Sequence, residues 1–307
     1  DLDTVDDAVT WLAAHLDTFD LVKTLAPLVL PSLAAAAHGP ILLYLIPRAA
    51  ARSLPAATMA RTTVHELARH PTWNLSWYTD HASPSYHTDQ KGLVGELERR
   101  LAKPHLPQQP ESRFIHPTMS TTEKSGLAAN TLADLTPALT VTAARHHLLR
   151  IAAHSMLQDN PANAPYGWSH CLTMPQAALG IAHATDDPQI AIAVAATYVL
   201  GFRATQGDVA IDPDYIPEPV TIDTNEIIAA PPPLAAAAAW HTPPTEQPQV
   251  WRTLADHAGA HRDAHLAKYT LACLDAARAD PTHHHLYRAA ATYLNAWWHE
   301  HAHERSH

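Results

Sequence analysis

Apolar residues recur every three to four positions through most of this chain, and the strict alternation of half-buried strands is scarce. Val5, Val9, Leu12 and Leu16 fall on one face behind Asp3 or Thr4, either of which can cap a first helix. The same spacing predicts helices over about 18–37, 39–53, 56–69, 91–103, 121–130, 136–158, 173–184, 187–204, 250–279 and 284–302. Abundant alanine supports them, because alanine loses the least on entering a helix. Two stretches break the rhythm. Residues 71–90 form an aromatic loop with Trp73, Trp77, Tyr78, His81, Tyr86 and His87. Residues 212–249 are rich in proline, with Pro231, Pro232 and Pro233 in a row, and read as an irregular excursion. That excursion is bordered by Ile211 and carries Tyr215, Ile216, Ile227 and Ile228, so it is expected to pack on the body. The fold expected is all-α: one multi-helix, bundle-like domain.

Composition adds exclusions more than assignments. A chain of 307 residues can bury a sizeable core. Charged residues are only 16%, against roughly 25% in an average domain, which suits much buried helix. A formal charge of −10, with histidine neutral, argues against a nucleic-acid binder, which would carry a basic face. No run of about twenty uncharged apolar residues spans a membrane. Residues 21–45 come closest, but Lys23, Pro27, Pro31, His38 and Pro40 interrupt them. Cys171 and Cys273 make no disulfide framework and no Cys-x-x-Cys pair, so a reducing cytoplasm is the simplest compartment expected. The sequence opens on Asp1 rather than methionine, which leaves a trimmed beginning open. None of the nine glycines stands in a dinucleotide or phosphate-loop arrangement. His65 and His70 look like a zinc-protease pair but are five apart, so on a helix their rings diverge by about 140°.

The remaining signal is histidine, 24 in all. On one continuous helix, His257, His261, His265 and Lys268 are spaced four, four and three, so they share a face. Imidazoles supply neutral nitrogen donors to transition metals, whereas an ammonium repels a cation. Lysine in that company makes sense only if it is neutral or chemically changed. His257 and His265 would stand about 12 Å apart along such a helix, too far to share one ion, so His257 and His261 are left outside the ligand set. His38 stands where Gly39 and Pro40 mark a helix boundary. His146 and His147 precede Arg150 within a long apolar helix, and His170 follows Trp168 at a loop-to-helix junction. Each alone has the ordinary alternative of a hydrogen-bonded core histidine.

Four segments, taken in order, resemble a known family. Ala37-His38-Gly39-Pro40 is similar to Asn-His-x-Pro, and His146-His147-Leu148-Leu149-Arg150 to His-x-Leu-Ile-Arg. His170-Cys171-Leu172-Thr173 matches His-x-x-Thr, and the run from His265 through Lys268 and Thr270 to Ala272 matches His-x-x-Lys-x-Thr-x-Ala. Together they resemble the questin oxidase-like family over about residues 30 to 290. The resemblance implies an all-α oxidase with a mononuclear non-haem iron centre. In the characterised fungal branch, four histidines and a carboxylated lysine hold the iron, and an anthraquinone ring is opened with dioxygen. Carried over motif by motif, the ligands are His38, His146, His170, His265 and Lys268. Alanine precedes His38 here, and the doubled histidine leaves His147 or His154 as alternatives to His146.

What the resemblance implies is chemically coherent. A buried lysine, neutral beside a divalent cation, captures carbon dioxide and becomes an anionic oxygen donor. Four imidazoles and one such oxygen suit Fe(II) and leave a position for dioxygen, the co-substrate. Arg150 is the candidate to steady an anionic phenolate or superoxide, with a salt bridge inside the helices as its alternative. Asp256 and Asp263 are candidates to orient ligand imidazoles. Trp73, Trp77, Tyr78, Trp168 and Tyr269, with Tyr86, are candidates for a flat pocket around a polycyclic aromatic or quinoid metabolite, with core packing as the alternative. Two other readings stand beside the oxidase: a zinc- or manganese-dependent hydrolase or lyase on the same histidines, and a non-catalytic helical protein.

Overall fold

Apolar residues at helical spacing build the regular elements, some of them buried all round, and no strand occurs among the described residues. A computed structural model describes residues 2–15, 17–32, 38–53, 56–69, 75–78 and 89–302. The fold is all-α, as the periodicity requires. The chain divides into two compact units. The first comprises Asp1–Arg100, Pro104–Arg145 and Met174–Thr205; the second comprises Leu101–Lys103, His146–Thr173 and Gln206–His307.

In the first unit, α1 (Leu2–His15) and α3 (His38–Ala50) both pack on α4 (Ala56–Arg69), and α2 (Thr18–Val29) packs on α3. Asp6 on α1 receives two hydrogen bonds from Arg61 and one from His65, which fastens α1 to α4. After α5 (Gln90–Ala102), the predicted helix 121–130 is instead two helices, α6 (Ile115–Lys124) and α7 (Leu127–Leu132). Gly126 separates them with φ of 76°, a left-handed conformation that glycine adopts without a Cβ clash. Buried Glu123 accepts hydrogen bonds from Ser76 Oγ and from the backbone N–H groups of Ser76 and Trp77, pinning residues 75–78.

Three helices follow: α8 (Val141–Gln158), α9 (Ser169–Gly180) and α10 (Gln189–Gln206). The second unit is then completed by four more. The proline-rich stretch, expected to be irregular, contains α11 (Pro232–His241). Proline in the first turn lacks only an N–H that would be unbonded there anyway, and five alanines follow. The remainder of the stretch packs in part: Ile211 and Ile227 are buried, whereas Ile216 is exposed. The single helix predicted over 250–279 is broken into α12 (Gln247–Ala260) and α13 (Ala264–Ala279). Helix α14 (His284–Glu300) is the core of this unit and packs against α11, α12 and α13. It is buried without a break from Leu286 to Trp298. Within it, Arg288 donates to the carbonyls of Ala239 and Trp240 and so closes the C-terminal end of α11. No helix among the described residues is long and apolar enough to cross a membrane.

Candidate metal centre

The local chain path explains how the second unit brings two histidines together. A π turn over Ala164–Trp168 leads directly into α9. Gly167 lets Gln206 approach closely: a Cβ there would lie 1.9 Å from Gln206 Oε1 and 3.3 Å from Asn163 Cβ, so the Gln206 side chain would have to move. Ser169 Oγ donates to the Pro165 carbonyl at 2.8 Å, and Trp168 Nε1 donates to the Asn160 carbonyl. These bonds tie the turn to α9 and hold His170 in its first helical turn. His170 Nδ1 faces the Tyr166 carbonyl.

The partner comes from the break between α12 and α13. Asp263 caps α13, its Oδ1 accepting from the backbone N–H of His265 at 2.9 Å. The same oxygen accepts from the ring at His265 Nδ1, 2.6 Å away. Its other oxygen accepts the Tyr166 hydroxyl at 2.9 Å. One carboxylate thus starts the helix, turns the imidazole and fixes the tyrosine.

The rings of His170 and His265 meet with centroids 4.8 Å apart, and each offers a ligand nitrogen within 4.8 Å of the other. A carbonyl or carboxylate oxygen at Nδ1 requires the ring proton there, which leaves Nε2 as the lone-pair atom on both rings. Histidines that bind metals through Nε2 are held in this way. Lys268, one turn along α13, is partly buried. Burial drives its amine down to about 8, against the attraction of Asp263. Burial also lowers His265, with the positive Lys268 adding to the effect. Burial opposes the charge of Asp263, but hydrogen bonds from His265 and Tyr166 outweigh it and hold the carboxyl below the ordinary range. The His265 imidazole is therefore favoured neutral, and far more of the Lys268 amine is neutral near physiological pH than of an ordinary lysine. Two imidazoles and a lysine convertible to an anionic oxygen donor fit a divalent transition metal.

His38 is the first residue of α3, in the first unit. His146 does not belong with His265. Its Nε2 lies 3.1 Å from the carbonyl of Ala279, the last residue of α13. Ala279 is fourteen residues beyond His265, about 21 Å along a helix. Two ligands of one ion, each about 2.1 Å from it, are at most about 4.2 Å apart. Side-chain reach does not close that gap. His154 is buried, but its Nδ1 faces Gln158 Nε2. Gln158 is held by a reciprocal pair of bonds to the backbone of Asp212, so this amide donates and the His154 proton sits on Nε2. It is not prepared as an Nε2 ligand.

Arg150 is also at the far end of α13, where Asp280 receives its Nε and Nη2 at 2.7 and 3.0 Å. The salt bridge within the helices is the role that geometry gives it, not an anion clamp at the histidine pair. The aromatic pocket is corrected as well. Trp168 and Tyr269 are fully buried core residues, the Tyr269 hydroxyl lying against Cys273. Trp77 is buried in the first unit and donates to Thr197 Oγ1, and Tyr78 donates to Asp187. Trp73 and Tyr86 lie outside the described residues. Of the two acids expected to orient imidazoles, Asp263 does so, and Asp256 is exposed. Sequence reading missed Tyr166, which is 39% exposed and meets His265 edge-on at 5.0 Å. The Pro165-Tyr166-Gly167 turn was its only signal.

His257 and His261, set apart from the ligands on distance, have partners of their own. His257 Nδ1 contacts Asn295 Oδ1, and His261 Nδ1 accepts from the Asp263 backbone. Comparison of the chain with protein-family models, curated proteins and solved structures finds no match.

Proposed function

We propose that this protein is a non-haem iron oxidase or oxygenase that acts with dioxygen on an electron-rich polycyclic aromatic or quinoid metabolite. One observation carries the reading: His170 and His265 converge with both Nδ1 atoms tied down, beside a lysine whose amine burial makes easy to neutralise. The four sequence motifs add to it. The proposed ligands are His170, His265 and Lys268 as its carbamate, and His38 enters the set from its motif alone. Two imidazoles and one carboxylate-like oxygen are the donor types of Fe(II) oxygenases, which keep positions open. Bound there, iron would supply one-electron chemistry with dioxygen.

The chain's own residues have separable tasks. Asp263 retains the Nδ1 proton of His265 and raises the donor strength of Nε2. The Tyr166 carbonyl does the same for His170. The neutral Lys268 amine attacks carbon dioxide through its lone pair; a C–N bond forms, one proton leaves, and the side chain becomes anionic. Exposed Tyr166 offers a flat edge and a hydroxyl at the rim.

Oxygen consumption by the iron-loaded chain, read against a panel of hydroxylated anthraquinones and simpler phenols, tests the reading. Uptake dependent on both iron and an aromatic compound supports it. Substrate hydrolysis with zinc, and no oxygen uptake with iron, contradicts it.

A further inference from the structure

An unbroken file of aromatic rings leads away from His265 within the second unit. Tyr166 meets His265 at 5.0 Å, and Trp298 meets Tyr166 at 6.1 Å. Trp297 meets Trp298 at 5.2 Å, and His301 stacks on Trp297 at 4.0 Å with planes 11° apart. Trp298 and Trp297 are 3% and 8% exposed, so water has little access to the middle of the file. His301, at the end of α14, is partly exposed.

Tyr166 has what a phenol needs to be oxidised reversibly. Losing an electron makes a phenol strongly acidic, so its proton needs somewhere to go and somewhere from which to return. The Tyr166 hydroxyl already donates to Asp263 Oδ2 at 2.9 Å. That carboxylate is otherwise tied through Oδ1. Packing alone accounts for aromatic edge-to-face contacts. It does not require a tyrosine next to the histidine pair to have an acceptor for its proton and two indoles behind it.

We propose that Tyr166, Trp298 and Trp297 form a redox relay joining the histidine pair to the end of α14. The inference rests on oxidative chemistry at that pair. A one-electron oxidant derived from dioxygen at the histidine pair takes one electron from Tyr166, whose O–H bond breaks as the proton moves to Asp263. Trp298 returns an electron to the phenoxyl radical, and the proton goes back. Trp297 then reduces the Trp298 radical cation, and a one-electron reductant in solution, such as a thiolate or an enediol, refills Trp297. Overall, one electron passes from the reductant to the centre, and no other bond is made or broken.

Photo-oxidation of the full chain by a ruthenium sensitiser with persulfate reads the relay without depending on bound iron. Electron paramagnetic resonance on chain carrying ring-deuterated tyrosine identifies a tyrosyl radical. The expected result is a tyrosyl signal abolished by Tyr166→Phe, and one that decays several-fold more slowly in Trp298→Phe. Phenylalanine keeps the ring at 166 and an aromatic, though smaller, side chain at 298, and circular dichroism checks that each variant is folded. A tyrosyl signal unchanged by Tyr166→Phe, or a decay unchanged by Trp298→Phe, overturns the relay. Oxygen uptake without these radicals would leave the oxidase reading standing and remove the relay alone.

Discussion

Asp263 does the most with the fewest atoms. Two oxygens serve as helix cap, imidazole orienter and tyrosine acceptor. Asparagine keeps the cap but loses the charge and half of the acceptor capacity. Asp263→Asn should therefore weaken metal affinity by about 10- to 100-fold with little change in helix content, as read by metal titration and circular dichroism. An unchanged affinity would mean that Asp263 does not tune the imidazole. Arg150 and Asp280 give a prediction in pH. Burial alone would raise the Asp280 carboxyl, and the Arg150 guanidinium reverses this and holds it well below the ordinary range. A depressed carboxylate stabilises the fold above its unfolded value, near 3.9, and that stability disappears as pH falls below it towards the folded value. Arg150→Met should cost about 3–5 kcal/mol at neutral pH, since it leaves a buried charge alone. It should also flatten the loss of stability below about pH 4. Urea unfolding across pH measures both, and parallel curves for the two proteins would contradict it.

Helices were largely legible because apolar spacing reports burial directly. The exceptions have local causes. His257, His261, His265 and Lys268 keep a helical rhythm across residues where the chain breaks, and Asp263, a cap-forming residue, was the available sign. Prolines 231–233 read as a breaker, although proline inside a helix and proline at its start have opposite meanings. Burial of aromatic rings was less legible, because a tryptophan on an apolar helix looks alike whether it lines a site or fills a core. Only three-dimensional contact separates Trp168 from Tyr166. The separation of His146 from His265 was likewise out of reach, since motif order carries no distance. At the junction of α6 and α7, Gly126→Ala should destabilise by about 1–2 kcal/mol through its left-handed φ. Denaturant melts with an unchanged slope would show this; equal midpoints for variant and wild type would not.

Across the whole molecule, −10 formal charge and an all-α body say little about chemistry, and the histidines say more. A metal that binds only the folded chain adds about 2.7 kcal/mol at a hundredfold excess over its dissociation constant. Melting should therefore rise with iron in the wild type and not in a His170→Ala, His265→Ala double variant. The terminal histidines give adventitious binding a route, so tag-free protein is needed. Elemental analysis of extensively dialysed, tag-free protein, beside its Lys268→Ala variant and with bicarbonate present during loading, decides most. The account predicts about one tightly held iron per chain in the wild type, by the fixed donor set of a single centre, and loss of that iron in the variant. Zinc in its place, no retained metal, or full iron retention in Lys268→Ala would contradict it.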